Sequence, residues 1–215
     1  LGDMGRQSEA LDHAAQALAM WNASSGPEST DAALGHLAVG YSLSRAGQYD
    51  AADQSYRKAL GIRTKLLGEQ HPLTGEVFNN LAMNMDAQGR PPAVIEPYLR
   101  KALDNVRATT GDSSERAAIL YGNIAQNLNA QGRYDEAAPL YRRALELREK
   151  LTGTAHPAYA GVLINYGISL QTAGDLAQAQ TLMRRAVGIY EAALGPDHAD
   201  TAWAQSSLAS LLSVM

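Results

Sequence analysis

The sequence predicts an all-α protein built as an array of antiparallel helical hairpins, with about ten helices in all. Three observations support this prediction: a period of about 42 residues, glycines at fixed places in each period, and apolar residues at helical spacing between the glycines. Alternating strand patterns are absent. A repeat of this kind cannot bury its own apolar face, so we expect neighbouring hairpins to stack into a right-handed superhelix with a concave surface.

Two columns of glycine define the period. The first column is Gly5, Gly47, Gly89, Gly132 and Gly174, with intervals of 42, 42, 43 and 42 residues. The second column keeps the same intervals and consists of Gly26, Gly68, Gly111, Gly153 and Gly195. Between them runs a column of alanine: Ala17, Ala59, Ala102, Ala144 and Ala186. We expect each glycine to end a helix, because a residue without Cβ adopts the left-handed conformation that closes one.

Each period then contains two helices, as the i, i+4, i+7 spacing of Ala137, Tyr141 and Ala144 illustrates. We predict second helices of the hairpins at about 6–24, 49–67, 92–109, 135–152 and 177–194. We predict first helices at about 29–46, 72–88, 114–131, 157–173 and 199–213. The domain prediction is a single array over 1–215, with hairpins at about 29–67, 72–109, 114–152 and 157–194 and half repeats at about 1–25 and 199–215.

Composition narrows the class of function. The 215 residues carry 18 basic and 22 acidic side chains, a formal net charge of −4, which disfavours general binding of polyanions. We therefore expect no nucleic-acid partner. No apolar run approaches the roughly 20 residues of a membrane-spanning helix, so we also expect no membrane partner. The expected location is cytoplasmic. The absence of cysteine excludes disulfides, thiolate metal sites and cysteine nucleophiles.

The order of small and aromatic residues identifies the type of repeat. One hairpin reads Ile124-Ala125, Leu128, Gly132, Tyr134, Ala137, Tyr141 and Ala144. This order resembles the tetratricopeptide repeat (TPR). The 42-residue length and the Gly-x-x-His-Pro turns that end at Pro72 and Pro157 resemble the kinesin-light-chain type. The turns after Gly26 and Gly111 lack the His-Pro pair, and Ala199 replaces the proline after His198.

The resemblance implies that the first helix of each hairpin lines the concave groove and that the groove binds a peptide. The predicted binding residues are Tyr41, Asn79, Asn80, Met83, Asn123, Gln126, Asn129, Asn165, Ile168 and Gln171. Neighbouring positions are Arg45, Glu76, Asp86, Trp203 and Ser207.

One column of these positions is rich in asparagine: Ala38, Asn80, Asn123, Asn165 and Ser207. Asparagine is a poor helix former, and its carboxamide both donates and accepts, so a spaced series could bind the backbone of a peptide. Light-chain-type grooves use such asparagines on peptide cargo, as the resemblance implies. The alternative is that each asparagine only forms hydrogen bonds within its own hairpin.

The groove lacks the lysines and arginines of TPR domains that clamp acidic C-terminal tails, since Asn79, Met83 and Gln126 occupy those positions. A nearly neutral floor with apolar spots suits an extended or helical peptide with a few hydrophobic anchors. We expect those spots to be Tyr41, Met83, Ile164 and Ile168. A small-molecule ligand is less favoured.

A second column is basic and lies on the second helices: Arg57-Lys58, Arg100-Lys101, Arg142-Arg143 and Arg184-Arg185. Such a row could meet an acidic partner or nucleic acid. No aromatic stacking residues recur beside it, and carboxylates such as Glu146 follow within about a turn. We therefore expect a solvated outer face.

An inventory of catalytic motifs disfavours an enzyme. Histidines 71, 156 and 198 lie in the repeated turn, where we expect a turn or capping role, and His13 and His36 are isolated. Metalloprotease, nucleophile-elbow and P-loop motifs are absent, so we expect no cofactor and no metal.

The predicted function is a non-catalytic scaffold that binds a protein or peptide partner. The alternative is a regulatory or oligomerisation arm of a larger multidomain protein without a ligand of its own. The chain begins in a second helix and ends in a first helix, where we expect Leu208, Leu211, Leu212 and Met215 to lack a covering helix. A segment of a longer protein, or self-association through exposed terminal helices, would explain this.

Overall fold

A computed structural model describes the backbone of residues 2–215 and the side chains of residues 7–215. Over this range the chain forms ten α-helices and no strand. They are α1 Gly2–Ser25, α2 Thr30–Arg45, α3 Tyr49–Leu67, α4 Pro72–Ala87, α5 Pro92–Thr110, α6 Glu115–Ala130, α7 Tyr134–Thr152, α8 Pro157–Ala173, α9 Leu176–Leu194 and α10 Ala199–Leu212. The all-α prediction is confirmed.

The helix bounds agree with the predicted ones to within one residue, except for α1. This helix begins at Gly2 and runs through Gly5, so the prediction that Gly5 ends a helix is wrong. Glycine permits the left-handed conformation but does not impose it. The other nine glycines of the two columns have φ between 68° and 94° and end their helices as predicted.

The chain divides into two compact units, one up to Gly111 and one from Asp112. In unit 1, each of the helices α1 to α4 packs on the helix that follows it. The core of this unit combines large side chains with alanines that let the helix axes approach. Its central cluster consists of Leu37, Leu43, Ala52, Tyr56, Ala59, Val77 and Leu81.

In unit 2, each of the helices α6 to α9 likewise packs on the helix that follows it. Its main cluster consists of Tyr159, Ala160, Leu163, Ile164, Ala179, Met183, Ala186, Tyr190, Ala204 and Leu211. Leu211 is fully buried and Leu208 packs against the cluster, so the expectation that both lack a covering helix is wrong. Leu212 and Met215 are exposed, as predicted.

The first helices lie on the inner side of each unit. In unit 1, α2 contacts α4, and in unit 2, α8 contacts both α6 and α10. The second helices of neighbouring hairpins make no comparable contact. Because the first helices approach one another more closely, each unit curves towards them. We call their solvent-facing side the inner face of the unit.

Candidate functional site

The inner face of unit 1 presents apolar side chains to solvent. On α2, Tyr41 is 60% exposed, and Met83 on the neighbouring α4 is 44% exposed. Leu34, two turns before Tyr41 on α2, is 48% exposed and was not predicted. It could have been predicted, because it lies 42 residues before Glu76, whose position the sequence analysis placed in the groove. These three side chains form an apolar strip across α2 and α4.

Asn80 lies beside this strip and makes no side-chain hydrogen bond in the described structure, although it is half-buried. Its neighbour Asn79 is also half-buried, and its Oδ1 atom is buried without a hydrogen-bond partner. The same register position carries Leu37 in α2 and Ile164 in α8, which are both in the core. Asn79 is therefore a polar residue at a position that holds a buried apolar side chain in α2 and α8, while α6 has Gly122 there and α10 has Ser206.

Glu76, at the edge of the same face, is neutralised by a buried arginine. Arg63 in α3 is 3% exposed, and its guanidinium donates to Glu76 Oε2 at 3.1 Å and to the carbonyl oxygen of Leu73. Sequence reasoning missed Arg63, although the equivalent position two periods later holds a second buried arginine, Arg148. Asp86 on α4 and Arg45 on α2 are exposed charged residues as well.

The inner face of unit 2 is richer in amides. On α6, Gln126 is exposed and Asn123 is half-buried, and the Oδ1 atom of Asn129 is buried without a hydrogen-bond partner. Ile119, which occupies the position equivalent to Leu34, is exposed and was also missed. The polar residues predicted from α6 thus share one side of the helix with an apolar side chain.

On α8, Asn165 is half-buried and makes no side-chain hydrogen bond within the described part of the chain. Gln171 and Ile168 are half-buried, and Ile168 packs against the core cluster. Ile164 is fully buried, so its predicted place in the groove is wrong. Trp203 on α10 adds an exposed aromatic ring.

A second column of polar residues, one turn further along the first helices, has a structural role that the sequence analysis did not consider. Asn84 is buried, and its Nδ2 donates to the carbonyl oxygen of Tyr49 at 2.9 Å. This bond joins α4 to the start of α3. Asn127 is the buried equivalent in α6. The sequence does contain a sign of this role, because Asn84 and Asn127 are 43 residues apart and so occupy equivalent positions in successive repeats.

The three turn histidines cap the helices that follow them, which confirms their predicted role. The Nδ1 atoms of His71, His156 and His198 accept the backbone N–H groups of Leu73, Ala158 and Asp200 at 3.1–3.2 Å. Each bond satisfies one of the N–H groups that have no partner within the helix. These imidazoles therefore have a structural role as helix N-caps.

Buried tyrosines on the second helices are held neutral. Burial, together with the nearby Tyr41, raises the pKa of Tyr56 to about 12. Burial also raises the pKa values of Tyr141 and Tyr190. Burial and the neighbouring Lys58 lower the pKa of His36. The residues described contain no set of three His, Asp or Glu side chains able to hold a metal.

No helix within the described range is long and apolar enough to cross a membrane.

The tetratricopeptide repeat family model matches residues 31–108, 92–150, 115–192 and 158–213, which together span most of the sequence. The chain belongs to the tetratricopeptide repeat family. The kinesin-light-chain resemblance is also confirmed. This TPR chain is 26% identical to the Arabidopsis thaliana protein kinesin light chain-related 1, over 75% of the chain and 33% of that protein.

A second relative is tetratricopeptide repeat protein 19, mitochondrial, from Homo sapiens, which is 32% identical over 52% of the chain and 30% of that protein. The TPR chain therefore spans about a third of the length of these curated relatives.

Solved structures share the fold at low sequence identity. BtubC (BKLC) from P. vanneervenii superimposes with a TM-score of 0.76 at 21% identity, over 98% of this chain and 82% of that one. The nearly identical TPR-like repeats of a Podosopora anserina kinesin light chain give 0.72 at 19% identity, over 88% and 90%. A Rap protein in complex with Competence and Sporulation Factor gives 0.64 at 12%, over 98% and 60%.

Proposed function

We propose that this TPR chain is a non-catalytic scaffold that binds a peptide segment of a partner protein on the inner faces of its units. The observation that carries the proposal is that Asn80 and Asn165 make no side-chain hydrogen bonds to the residues that the structure describes. Neither carboxamide has a hydrogen bond in the fold, although asparagine costs about 0.5 kcal/mol or more relative to alanine inside a helix. The alternative explanation is that each asparagine only forms hydrogen bonds within its own hairpin, and it does not apply to these two residues.

The surroundings of these amides suit a peptide. Exposed Tyr41 and Met83 beside Asn80 offer contacts for an apolar anchor, while the amide donates to and accepts from a peptide backbone. On unit 2, Asn165 lies on the same helix as the half-buried Gln171. The small number of charges on the inner faces favours a ligand whose recognition depends on backbone contacts and apolar side chains.

Family membership and fold likeness support the same class of function. Tetratricopeptide repeats are typical of protein–protein interaction, and one structural neighbour, the Rap protein, was solved with Competence and Sporulation Factor bound. That likeness concerns the fold, so the ligand of this chain has to be found by experiment.

The test begins with selection of twelve-residue peptides from a random phage-displayed library on the wild-type chain. Affinity for a selected peptide is then measured by fluorescence anisotropy for the wild type and for N80A/N123A/N165A. We expect the triple variant to lose at least about tenfold in affinity, since each lost hydrogen bond contributes about 0.5–1.5 kcal/mol. Circular dichroism should show unchanged helicity.

The matched control is Q54A/Q178A, which removes two exposed amides from second helices. It should bind like the wild type. Failure of the library to yield a binder, or equal affinity of the triple variant, would contradict the proposal. A change in oligomeric state by size-exclusion chromatography without any change in peptide binding would instead favour the regulatory or oligomerisation arm.

A further inference from the structure

The paired basic residues of the second helices divide into two sets with different surroundings. Three of the four second members of these pairs interact with their own hairpin, whereas Lys58 makes no ion pair among the described residues. Lys101 pairs with Glu69 in the turn before α4, and the guanidinium of Arg143 donates to Asp112 Oδ2 at 2.9 Å. The guanidinium of Arg185 lies 5.0 Å from the ring centroid of Tyr159. These cations stabilise the hairpins.

The first member of each pair is exposed, and its ion pairing differs between the units. In unit 1, Arg57 bonds to Asp53 at 2.6 Å and Arg100 bonds to Glu96 at 2.6 Å, in each case one turn earlier in the helix. In unit 2, the residues one turn before Arg142 and Arg184 are Ala138 and Gln180.

Arg142 and Arg184 are consequently exposed guanidinium groups without an ion pair among the described residues. The nearest acid along α7 is Glu146, which already bonds to Arg143 at 3.1 Å. Along α9 it is Glu191, two turns after Arg184, and the intervening α8 has no charged residue. Neither arginine thus has an unengaged carboxylate within one turn of its own helix, and Glu149 and Glu191 lie two turns away.

We propose that Arg142 and Arg184 form a docking surface for an acidic linear segment of a partner protein. A guanidinium binds a carboxylate through two parallel hydrogen bonds, so two unpaired groups select carboxylates over neutral side chains. Nucleic acid fits less well, because Tyr141 and Tyr190 on these helices are buried and cannot stack on bases.

Arg142 and Arg184 occupy equivalent positions in α7 and α9, which each pack on α8. An extended chain rises about 3.3 Å per residue, so carboxylates at every fourth residue give a ligand that spans more than one helix. The surface lies on second helices and does not depend on peptide binding by the inner face.

The experiment uses a fluorescein-labelled twelve-residue peptide with Glu at every fourth position and Ser and Gly between, and a second peptide with Gln in place of Glu. Binding to the 215-residue chain is measured by anisotropy at low and at physiological salt. We expect the Glu peptide to bind more tightly than the Gln peptide, with an affinity that falls as salt rises. R142Q/R184Q should weaken it at least about fivefold.

The matched control is R57Q/R100Q, which removes the equivalent arginines that already have carboxylate partners. This variant, and N80A/N123A/N165A, should bind the Glu peptide like the wild type. Equal binding of the two peptides, no binding of the Glu peptide, or an unchanged affinity in R142Q/R184Q would overturn the proposal. Tighter binding of a twenty-nucleotide single-stranded DNA through the same arginines would replace the acidic segment with nucleic acid.

Discussion

Gly40 in α2 lies against the ring of Tyr56 in α3, and a Cβ atom added to the glycine would come within 2.7 Å of the ring. The small residue therefore lets a first helix and its second helix approach around a buried tyrosine. Ala82 and Ala125 are buried at the equivalent position, and Gly167 faces Met183. The contact sets the separation of the two helices, on which the position of the inner face depends.

Gly40→Ala should lower the free energy of unfolding by about 1–2 kcal/mol. Overpacking a core costs about 1–3 kcal/mol, which outweighs the gain of up to about 1 kcal/mol in helix propensity. Urea denaturation followed by circular dichroism measures the change. Gly61→Ala is the control, because its Cβ would meet nothing within 4 Å and should stabilise α3. Equal stabilisation by both substitutions would contradict the packing argument.

His156→Ala should destabilise the chain by about 1 kcal/mol, because the N–H of Ala158 loses its acceptor at the start of α8. His156→Asn should retain most of the stability, since asparagine is a favourable N-cap residue. Thermal unfolding by calorimetry distinguishes the two. His13→Ala, a change at an exposed position in α1, is the control. A loss of similar size in the alanine and asparagine variants of His156 would argue against capping.

Asn79→Leu should raise the free energy of unfolding by about 1 kcal/mol or more and weaken binding of a selected peptide. The substitution removes a buried acceptor without a partner and places leucine where the fold elsewhere has Leu37 and Ile164. The measurements are the unfolding midpoint in urea and the peptide Kd. Leu37→Asn, the reciprocal change, should lower stability. If Asn79→Leu is destabilising, Asn79 is a structural residue.

The stability of the chain should fall as pH rises from about 10 to about 12, in part because of Tyr56. Its pKa is raised in the fold to about 12, whereas an unfolded tyrosine titrates near 10, so the unfolded chain loses this proton first. The contribution is fully present below pH 10. Tyr56→Phe should make the decline less steep in urea denaturation at several pH values. An identical decline in wild type and variant would contradict the assignment.

Local sequence determined most of the secondary structure. Helix ends depend on glycine, proline and capping side chains within a few residues, so the bounds of α2 to α10 were predicted to within one residue. The capping role of His71 and His156 was predictable for the same reason. The prediction that Gly5 ends a helix was wrong, because a glycine ends a helix only where the residues around it also adopt non-helical conformations.

The inner face was predictable as a set of helix positions, since 42-residue repeats place equivalent residues on equivalent sides. Asn80 and Asn165 are half-buried and Tyr41 is exposed on the first helices, and the exposed Leu34 and Ile119 could have been added from their columns.

Only the tertiary structure decided which residues are buried and which have partners. Ile164 and Asn79 share one register position, yet Ile164 is fully buried and Asn79 is half-buried, because burial depends on the side chains of neighbouring helices. Arg63 is buried with its guanidinium donating hydrogen bonds to Glu76 and to a backbone carbonyl in the next helix. Periodicity within one helix contains no information about such contacts, which arise from packing between segments that are distant in the chain.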